Sequence, residues 1–304
     1  MNDIGPTDQT VLVTGGAGFI GSHVVDALVS DNEVRAIDNL STGKRGNVHP
    51  EATLIEGDIR DSERLHNAME GVDIVFHQAA QVSVARSVET PQESFSVNTA
   101  PSLAVLEHAR KQGCRVVIAS SCAIYGDPTT TPISESDPKD PQSPYGVEKL
   151  TVDRYTRLYH ELYDVEAIAL RYFNVYGPRQ SGGDYSGVIG IFKDQATSGE
   201  PLTVEGDGTQ TRDFIHVDDV VRANLLAAET EAVGEVYNVG TGTTVTIKGL
   251  AELIRECSGA DVPIQHVAGR DGDIEESQAD ISKIREHMGF APTVSLTDGL
   301  ESLF

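Results

Sequence analysis

The regular pattern of the chain begins at Thr10, where an apolar triplet, Val11, Leu12 and Val13, runs into a glycine-rich turn. A helix-like stretch over 22–30 follows, and a second apolar run ends at Asp38, which together predict a βαβ unit. Short apolar runs at 53–56, 74–77 and 115–120 read as further strands, separated by helical stretches over 62–69 and 99–112. Strands alternating with helices predict a parallel sheet covered on both faces, the doubly wound α/β arrangement. The segment 128–144, rich in Pro, Ser, Thr and Asp, predicts an exposed loop that borders the active site and leads into a helix starting near Tyr145. Past Tyr172 the alternation weakens. Turns at Gly182-Gly183, Gly206 to Gly208 and Gly240 to Gly242 predict a smaller, less regular α/β lobe, in which 216–229 still reads as a helix. The expected division is a sheet-forming domain over 1–173 and a lobe over 174–304, with about 214–240 packing back onto the first.

Composition narrows this picture. At 304 residues the chain can bury a full core as one large domain or two closely joined ones. Forty-seven acidic against 23 basic residues give a formal charge of −24, a field that repels nucleic acid and anionic lipid. The acidic balance and the absence of Trp resemble proteins of salt-loving organisms, in which concentrated salt screens such repulsion; an ordinary acidic cytosolic enzyme is the alternative. Three cysteines, Cys114, Cys122 and Cys257, cannot all pair and lack zinc spacing, which fits a reducing cytoplasm. The acidic, polar amino terminus carries no mark of export, and no apolar run approaches the roughly 18 residues of a membrane span.

Candidate chemistry lies in the first turn. Gly15, Gly18 and Gly21 fall between the first strand and first helix, where missing side chains permit a tight turn and let backbone N–H groups approach a pyrophosphate. Asp38 ends the second strand about 20 residues on, placed to accept both ribose hydroxyls of an adenosine and to repel the extra phosphate of NADP. Lys44 and Arg45 lie past a turn, so a Rossmann-type NAD site is expected. The run from Ser41 to Lys44 lacks the glycine a P-loop needs at position 38. Tyr145 and Lys149, four residues apart on one helix, share a face. This spacing is common in structural pairs, but an ammonium about 4 Å from a phenol would interact by roughly 4 kcal/mol at an effective dielectric near 20, enough to lower the tyrosine pKa by up to about 3 units. Tyr145 is thus a candidate base. Histidines give no metal pattern: His160-Glu161 lacks a second histidine, no His/Cys/Asp cluster appears, and His77 reads as structural.

The motifs at 14–21 (TGGAGFIG), Asp38-Asn39-Leu40, 120–126 (SSCAIYG) and Tyr145 to Lys149 together resemble an extended short-chain dehydrogenase/reductase over essentially the whole chain. Within that superfamily, 171–174 (RYFN), 210–219 (QTRDFIHVDD), 238–241 (NVGT) and 270–273 (RDGD) are most similar to UDP-sugar 4-epimerases. The resemblance implies a catalytic triad of Tyr145, Lys149 and Ser121, with Ser120 the runner-up for the hydroxyl that bonds the sugar 4-OH. It implies NAD contacts from Gly15, Gly18, Phe19, Ile20, Gly21, Asp38, Asn39, Asp58, Ile59, Ala79, Ala80, Asn98 and Phe173, besides Tyr145 and Lys149. Taken alone, Ala79, Ala80, Ile59 and Phe173 would read as packing. Asn174, Arg212 and Arg270 would hold the diphosphate, which suits the planar fork of arginine, and Asp273 the uridine ribose. Ser277 falls where strict hexose epimerases carry a large tyrosine, which implies room for an N-acetylated sugar, provided the alignment through Arg270 to Asp273 holds. Related dehydratases and decarboxylases place acids just before the equivalent of Tyr125-Gly126, where this chain has Cys122, Ala123 and Ile124, so reversible 4-epimerisation is favoured. A UDP-glucuronate substrate or a non-catalytic NAD sensor are the other readings. The family also implies a homodimer through helices near 99–112 and 145–163.

Overall fold

The computed structural model describes residues 4–180, 187–269 and 274–304. Its first half runs β1 (Thr10–Thr14), α1 (Phe19–Leu28), β2 (Glu33–Asp38), β3 (Thr53–Glu56), α2 (Ser62–Met69), β4 (Ile74–His77), α3 (Val84–Glu89), α4 (Pro91–Asn98), α5 (Ala100–Gln112), β5 (Arg115–Ser121), α6 (Pro144–Tyr163) and β6 (Ala167–Tyr172). There follow β7 (Asn174–Tyr176), α7 (Val188–Ser198), β8 (Leu202–Glu205), β9 (Thr211–Arg212), β10 (Phe214–His216), α8 (Val217–Glu229), β11 (Val236–Val239), β12 (Val245–Thr246), α9 (Ile247–Ser258), β13 (Ile264–Val267), β14 (Glu276–Ser277), α10 (Ser282–Met288) and α11 (Leu296–Glu301).

Seven strands form one sheet in the order β11-β6-β5-β4-β1-β2-β3, every neighbouring pair parallel. This is the Rossmann-type doubly wound α/β fold. Successive residues of a strand point to opposite faces: Val11 and Val13 pack with Val117 and Ala119 on one side, Leu12 with Val116 and Ile118 on the other. Both faces are dry, which is why β1 and β5 read as unbroken apolar runs. The strand order reverses between β1 and β4, so a crevice opens at their carboxyl ends, where Gly15 and Gln78 leave the sheet. A third cluster, with Phe192, Leu202, Val204, Leu250 and Ile254, is the core of the smaller lobe, whose strands form the parallel pairs β8/β13 and β7/β10 and the small sheet β12-β9-β14.

Three differences from the sequence pattern have local causes. Helix α1 begins at Phe19 rather than 22, because Gly18 is extended and serves as its amino-terminal cap. Strand β5 continues to Ser121, held in parallel register with Tyr172. Helices α3 and α4 were not anticipated: α3 is only six residues long, and α4 opens on Pro91, a residue compatible with a first helical turn alone.

The charge of −24 destabilises any compact state by self-repulsion, and that repulsion is screened as the Debye length shrinks to about 3 Å at 1 M salt. The thermal unfolding midpoint is therefore expected to rise by several degrees between about 0.1 M and about 2 M KCl. A midpoint that stays level or falls in calorimetry would contradict this account.

Candidate active site

The turn after β1 is shaped by what cannot fit there. Gly15 has φ +69, and a Cβ on it would lie 2.8 Å from the backbone of Ala79, while one on Gly21 would lie 2.1 Å from the Gly15 carbonyl oxygen. No side chain caps α1, so the N–H groups of its first turn, from Phe19 and Ile20 onward, face the crevice end of the sheet. Asp38, nearly buried, is fixed beside this turn: its Oδ2 accepts from the Ala17 N–H at 3.0 Å and its Oδ1 from the Leu40 N–H at 2.8 Å. Glycines around an uncapped helix start, with a fixed carboxylate at the end of β2, fit an adenine dinucleotide with an unphosphorylated ribose. The remaining expected contacts fall around this cradle. Asn39 donates to Asp58 at 2.9 Å, and Arg60 pairs with Asp58 at 2.7 Å, holding its carboxyl well below the usual carboxylate range. Ile59 packs with Leu12 and Ile37, with Ala79 alongside, and Phe173 is buried in the opposite cluster; Ala80 is half-buried in the loop after β4. Asn98 is buried with its side chain already engaged, accepting from the Gln81 N–H at 2.8 Å and donating to the Gln81 carbonyl and to Glu148.

At the carboxyl end of β5, three successive residues meet one face of α6. Ser143 caps the helix by accepting from the Gly146 N–H at 3.1 Å, and Pro144 occupies its first turn. Lys149 Nζ donates to the Ala119 carbonyl at 2.8 Å, Ser120 Oγ donates to Asp153 at 3.3 Å, and the Ser121 hydroxyl lies close enough to Tyr145 to favour its ionised form. Alternation along the strand thus separates two adjacent serines: Ser121 joins Tyr145, whereas Ser120 is spent on Asp153. Tyr145 and Lys149 are both nearly buried, and the ammonium lies 5.9 Å from the centre of the Tyr145 ring. Burial pushes the Tyr145 phenol up to about 12 against the lowering effect of Ser121, and pushes Lys149 down to about 8 against the raising effect of Glu148. The sequence expectation that Lys149 brings the tyrosine towards neutrality is corrected here: the ammonium is committed to Ala119, and desolvation dominates.

The substrate side is ordered by strand register. Ser277 stands opposite Arg212 in the β14/β9 pair, and Val245 opposite Arg212 in β12/β9. Asn174 Nδ2 donates to the Asp213 carbonyl at 2.8 Å. Arg212 lies near enough to Cys122 for its charge to offset part of the rise that burial imposes on that thiol, which stands at about 11. Arg212 also lines a cavity of about 530 Å³ with Thr243, Thr244, Arg285 and Thr293. Arg270 and Asp273 lie outside the described residues. Among the described residues, no group of three or more His, Cys, Asp or Glu is placed to hold a metal ion, and no helix is long and apolar enough to cross a membrane.

Residues 11–240 match the profile of the NAD dependent epimerase/dehydratase family. The chain belongs to that family. The UDP-glucose 4-epimerase of Mycolicibacterium smegmatis is 37% identical over 298 residues, 95% of each chain. A UDP-glucose 4-epimerase of Thermotoga maritima solved with UDP-glucose superposes with a TM-score of 0.93 at 41% identity, covering 97% of each chain. A UDP-N-acetylglucosamine 4-epimerase of Methanobrevibacter ruminantium, solved with UDP-N-acetylmuramic acid, superposes at 0.94 with 39% identity, covering 98% of this chain and 97% of the other. The resemblance to extended short-chain dehydrogenase/reductases and the expectation of NAD both hold for this epimerase/dehydratase family member.

Sequence reasoning left several members of the site without a role. Glu148 is buried beside Lys149, and Asp153, one turn further on, pairs with buried Arg171 at 2.8 Å. The available signal was the spacing itself, since positions 145, 149 and 153 form one stripe of α6. His77, expected to be structural, is buried in a chain of hydrogen bonds. Ala79 N–H donates to Thr14 Oγ1, which bonds His77 Nδ1 at 2.8 Å; His77 Nε2 bonds Ser102 Oγ at 2.8 Å, and Ser102 donates to the Asn98 carbonyl. Every donor finds an acceptor when the ring is neutral with its proton on Nε2. Burial first, and the Lys149 charge second, hold His77 down at about 3.

That depression has a definite sign. Above the ordinary histidine value of about 6.5 both states are neutral and nothing is lost; below it the unfolded chain takes up a proton the folded chain refuses. Stability should therefore fall by roughly 1.4 kcal/mol per pH unit from about 6.5 towards 3, in excess of a His77→Asn variant over the same range. Denaturant unfolding at a series of pH values checks this, and identical slopes for the two proteins would refute it.

Proposed function

We propose that the chain catalyses reversible 4-epimerisation of a UDP-hexose, with Tyr145 as the base, Ser121 as the hydroxyl that bridges it to the sugar 4-OH, and Lys149 as the charge beside them. The observation that carries this reading is the placement of Ser121 at the carboxyl end of β5, close enough to Tyr145 to favour its ionised form, with Lys149 one helical turn from the phenol. Glycines 15, 18 and 21, the first turn of α1, and Asp38 would hold NAD, which when bound supplies a hydride acceptor that returns its hydride within the same turnover. Tyr145 takes the proton of the 4-OH and gives it back, so the side chain has to change protonation state near neutrality. Burial alone opposes this, and the positive charge that NAD would supply when bound would favour it. The sugar presents its opposite face between the two proton transfers, which makes the net reaction an inversion at C4.

The division of labour supported by the topology is an NAD-binding domain over 1–173, completed by 214–240, and a UDP-sugar lobe over the remainder of 174–304. Asn174 and Arg212 would hold the diphosphate with Arg270, Asp273 the uridine ribose, and buried Ser277, in register with Arg212, would leave space at the sugar wall. UDP-N-acetylglucosamine is then accepted alongside UDP-glucose. The dehydratase and decarboxylase readings require an ionisable group just past Ser121; burial keeps the Cys122 thiol neutral and Ala123 has none. Exposed Leu158, Leu162 and Tyr163 on α6 support a homodimer through that helix, and three free cysteines with a charge of −24 suit a reducing, salt-rich cytoplasm.

The test is to offer UDP-glucose, UDP-N-acetylglucosamine, UDP-glucuronate and dTDP-glucose in high salt and identify the products. Tyr145→Phe should lower kcat by about 100-fold or more. Normal turnover of that variant, or a 4,6-dehydrated product, would overturn the proposal. Ser277→Tyr should remove turnover of the N-acetylated substrate while sparing UDP-glucose; equal effects on both would sink the specificity claim.

A further inference from the structure

Glu148 is 4% exposed and stands between the two catalytic candidates of α6, three residues after Tyr145 and next to Lys149. A carboxylate taken out of water is costly unless it is paired and hydrogen-bonded. Its Oε2 accepts from Ser94 Oγ at 2.7 Å and from Asn98 Nδ2 at 2.6 Å, both on α4. Asn98 in turn grips both backbone groups of Gln81, donating to its carbonyl at 3.0 Å and accepting from its N–H at 2.8 Å. Gln81 closes the loop whose Ala79 backbone abuts Gly15 of the dinucleotide turn. A continuous path of short hydrogen bonds therefore joins the helix that carries Tyr145 to the loop beside the NAD cradle.

The other ionisable groups around this point are each neutral or already matched. From β4, His77 is kept neutral by burial and by the Lys149 charge; from the turn after β5, Cys122 stays a thiol. On α6 itself Asp153 is spent on Arg171 of β6, and on α4 Glu93 pairs with Arg86 of α3 at 3.0 Å. Glu148 is the anion whose field reaches both Lys149, which it stabilises as a cation, and Tyr145, whose ionisation it opposes.

We propose that Glu148 is a positioning residue of the epimerase site, which staples the catalytic helix to the cofactor-side loop and sets the charge against which Tyr145 ionises. The proposal rests on the reading of Tyr145 as the base. Two variants separate the functions of the carboxylate. Glu148→Gln keeps an oxygen to accept from Ser94 and Asn98 but removes the charge; Glu148→Ala removes both.

In the NAD-loaded enzyme, the Tyr145 titration is followed by phenolate absorbance as the difference from Tyr145→Phe. In Glu148→Gln it should move down by about one pH unit, as expected for a unit charge several ångströms away at an effective dielectric near 20. The acid limb of the kcat/KM profile should move the same way, with KM changed by less than about twofold. NAD affinity, measured by calorimetry, should match the parent in Glu148→Gln and weaken by roughly tenfold in Glu148→Ala. A Glu148→Gln titration within about 0.2 units of the parent overturns the charge role, and parental NAD affinity in Glu148→Ala overturns the staple. If Glu148→Ala does not fold, the Glu148→Gln titration decides the proposal alone. An active Tyr145→Phe would instead overturn the catalytic reading, whereas an inactive one with an unmoved Glu148→Gln titration overturns only the role of Glu148.

Discussion

The pairing of Arg171 with Asp153 ties together five segments of this molecule. The guanidinium is 2% exposed, and its donors meet both carboxylate oxygens at 2.8 and 2.9 Å, the Tyr125 hydroxyl at 2.7 Å and the Glu135 carbonyl at 3.0 Å. Tyr125 passes the connection on, donating to Asn238 at 2.6 Å. One buried cation thus joins β6, α6, the turn after β5, the loop at Glu135 and β11. Breaking such a pair from one side leaves an uncompensated interior charge, at a cost of about 3–5 kcal/mol. The pair does not make the protein stable relative to an apolar alternative. It makes one arrangement of these five segments far better than its neighbours, and that arrangement sets α6 against β5.

The setting of α6 matters because the catalytic candidates are assembled by register. Ala119, Ser120 and Ser121 are consecutive, and they meet Lys149, Asp153 and Tyr145 respectively. A slip of one residue along β5 would exchange the serines and bring Ser120 to the tyrosine. Asp153, held by Arg171, rules this out, so the ion pair decides which serine stands beside Tyr145. The helix then brings its own charges into a dry place. Burial drives Tyr145 and Lys149 both towards their neutral forms, and only specific neighbours, Ser121 for the phenol and Glu148 for the ammonium, oppose it.

This explains which parts of the molecule were legible in the sequence. Five of the seven strands of the central sheet were, because both faces of a parallel sheet are buried and β1, β4 and β5 carry apolar runs at their centres, whereas β6 and β11 were not anticipated. The dinucleotide turn was too, since only glycine survives where a Cβ would meet backbone at 2.1 to 2.8 Å. Ser121 was preferred to Ser120 by its motif, and the two differ in the structure by what each meets, Ser120 bonding Asp153. The ionisation of Tyr145 was misjudged because spacing on a helix reveals a neighbouring charge but not desolvation. Asn98, expected at the cofactor, engages Gln81 and Glu148 through its side chain, contacts between segments 17 and 50 residues apart that no local pattern encodes. Helices α3 and α4 escaped notice for a related reason: their positions follow from what they touch, such as Ser87 accepting from the Tyr145 N–H at 3.2 Å, rather than from their own periodicity.

The same distribution of partners reconciles a very acidic chain with a site that depends on cations. Of the interior cations, Arg171 is matched at short range by Asp153 and Lys149 lies within the field of Glu148, while the excess of carboxylates is left at the surface. Salt screens charges separated by more than a Debye length and reaches buried contacts hardly at all. Added salt therefore relieves the repulsion that strains the fold while leaving the fields that act on Tyr145 nearly unchanged. Stability and the ionisation of Tyr145 are in this way governed by separate sets of charges, and the surface can become steadily more acidic without retuning that phenol.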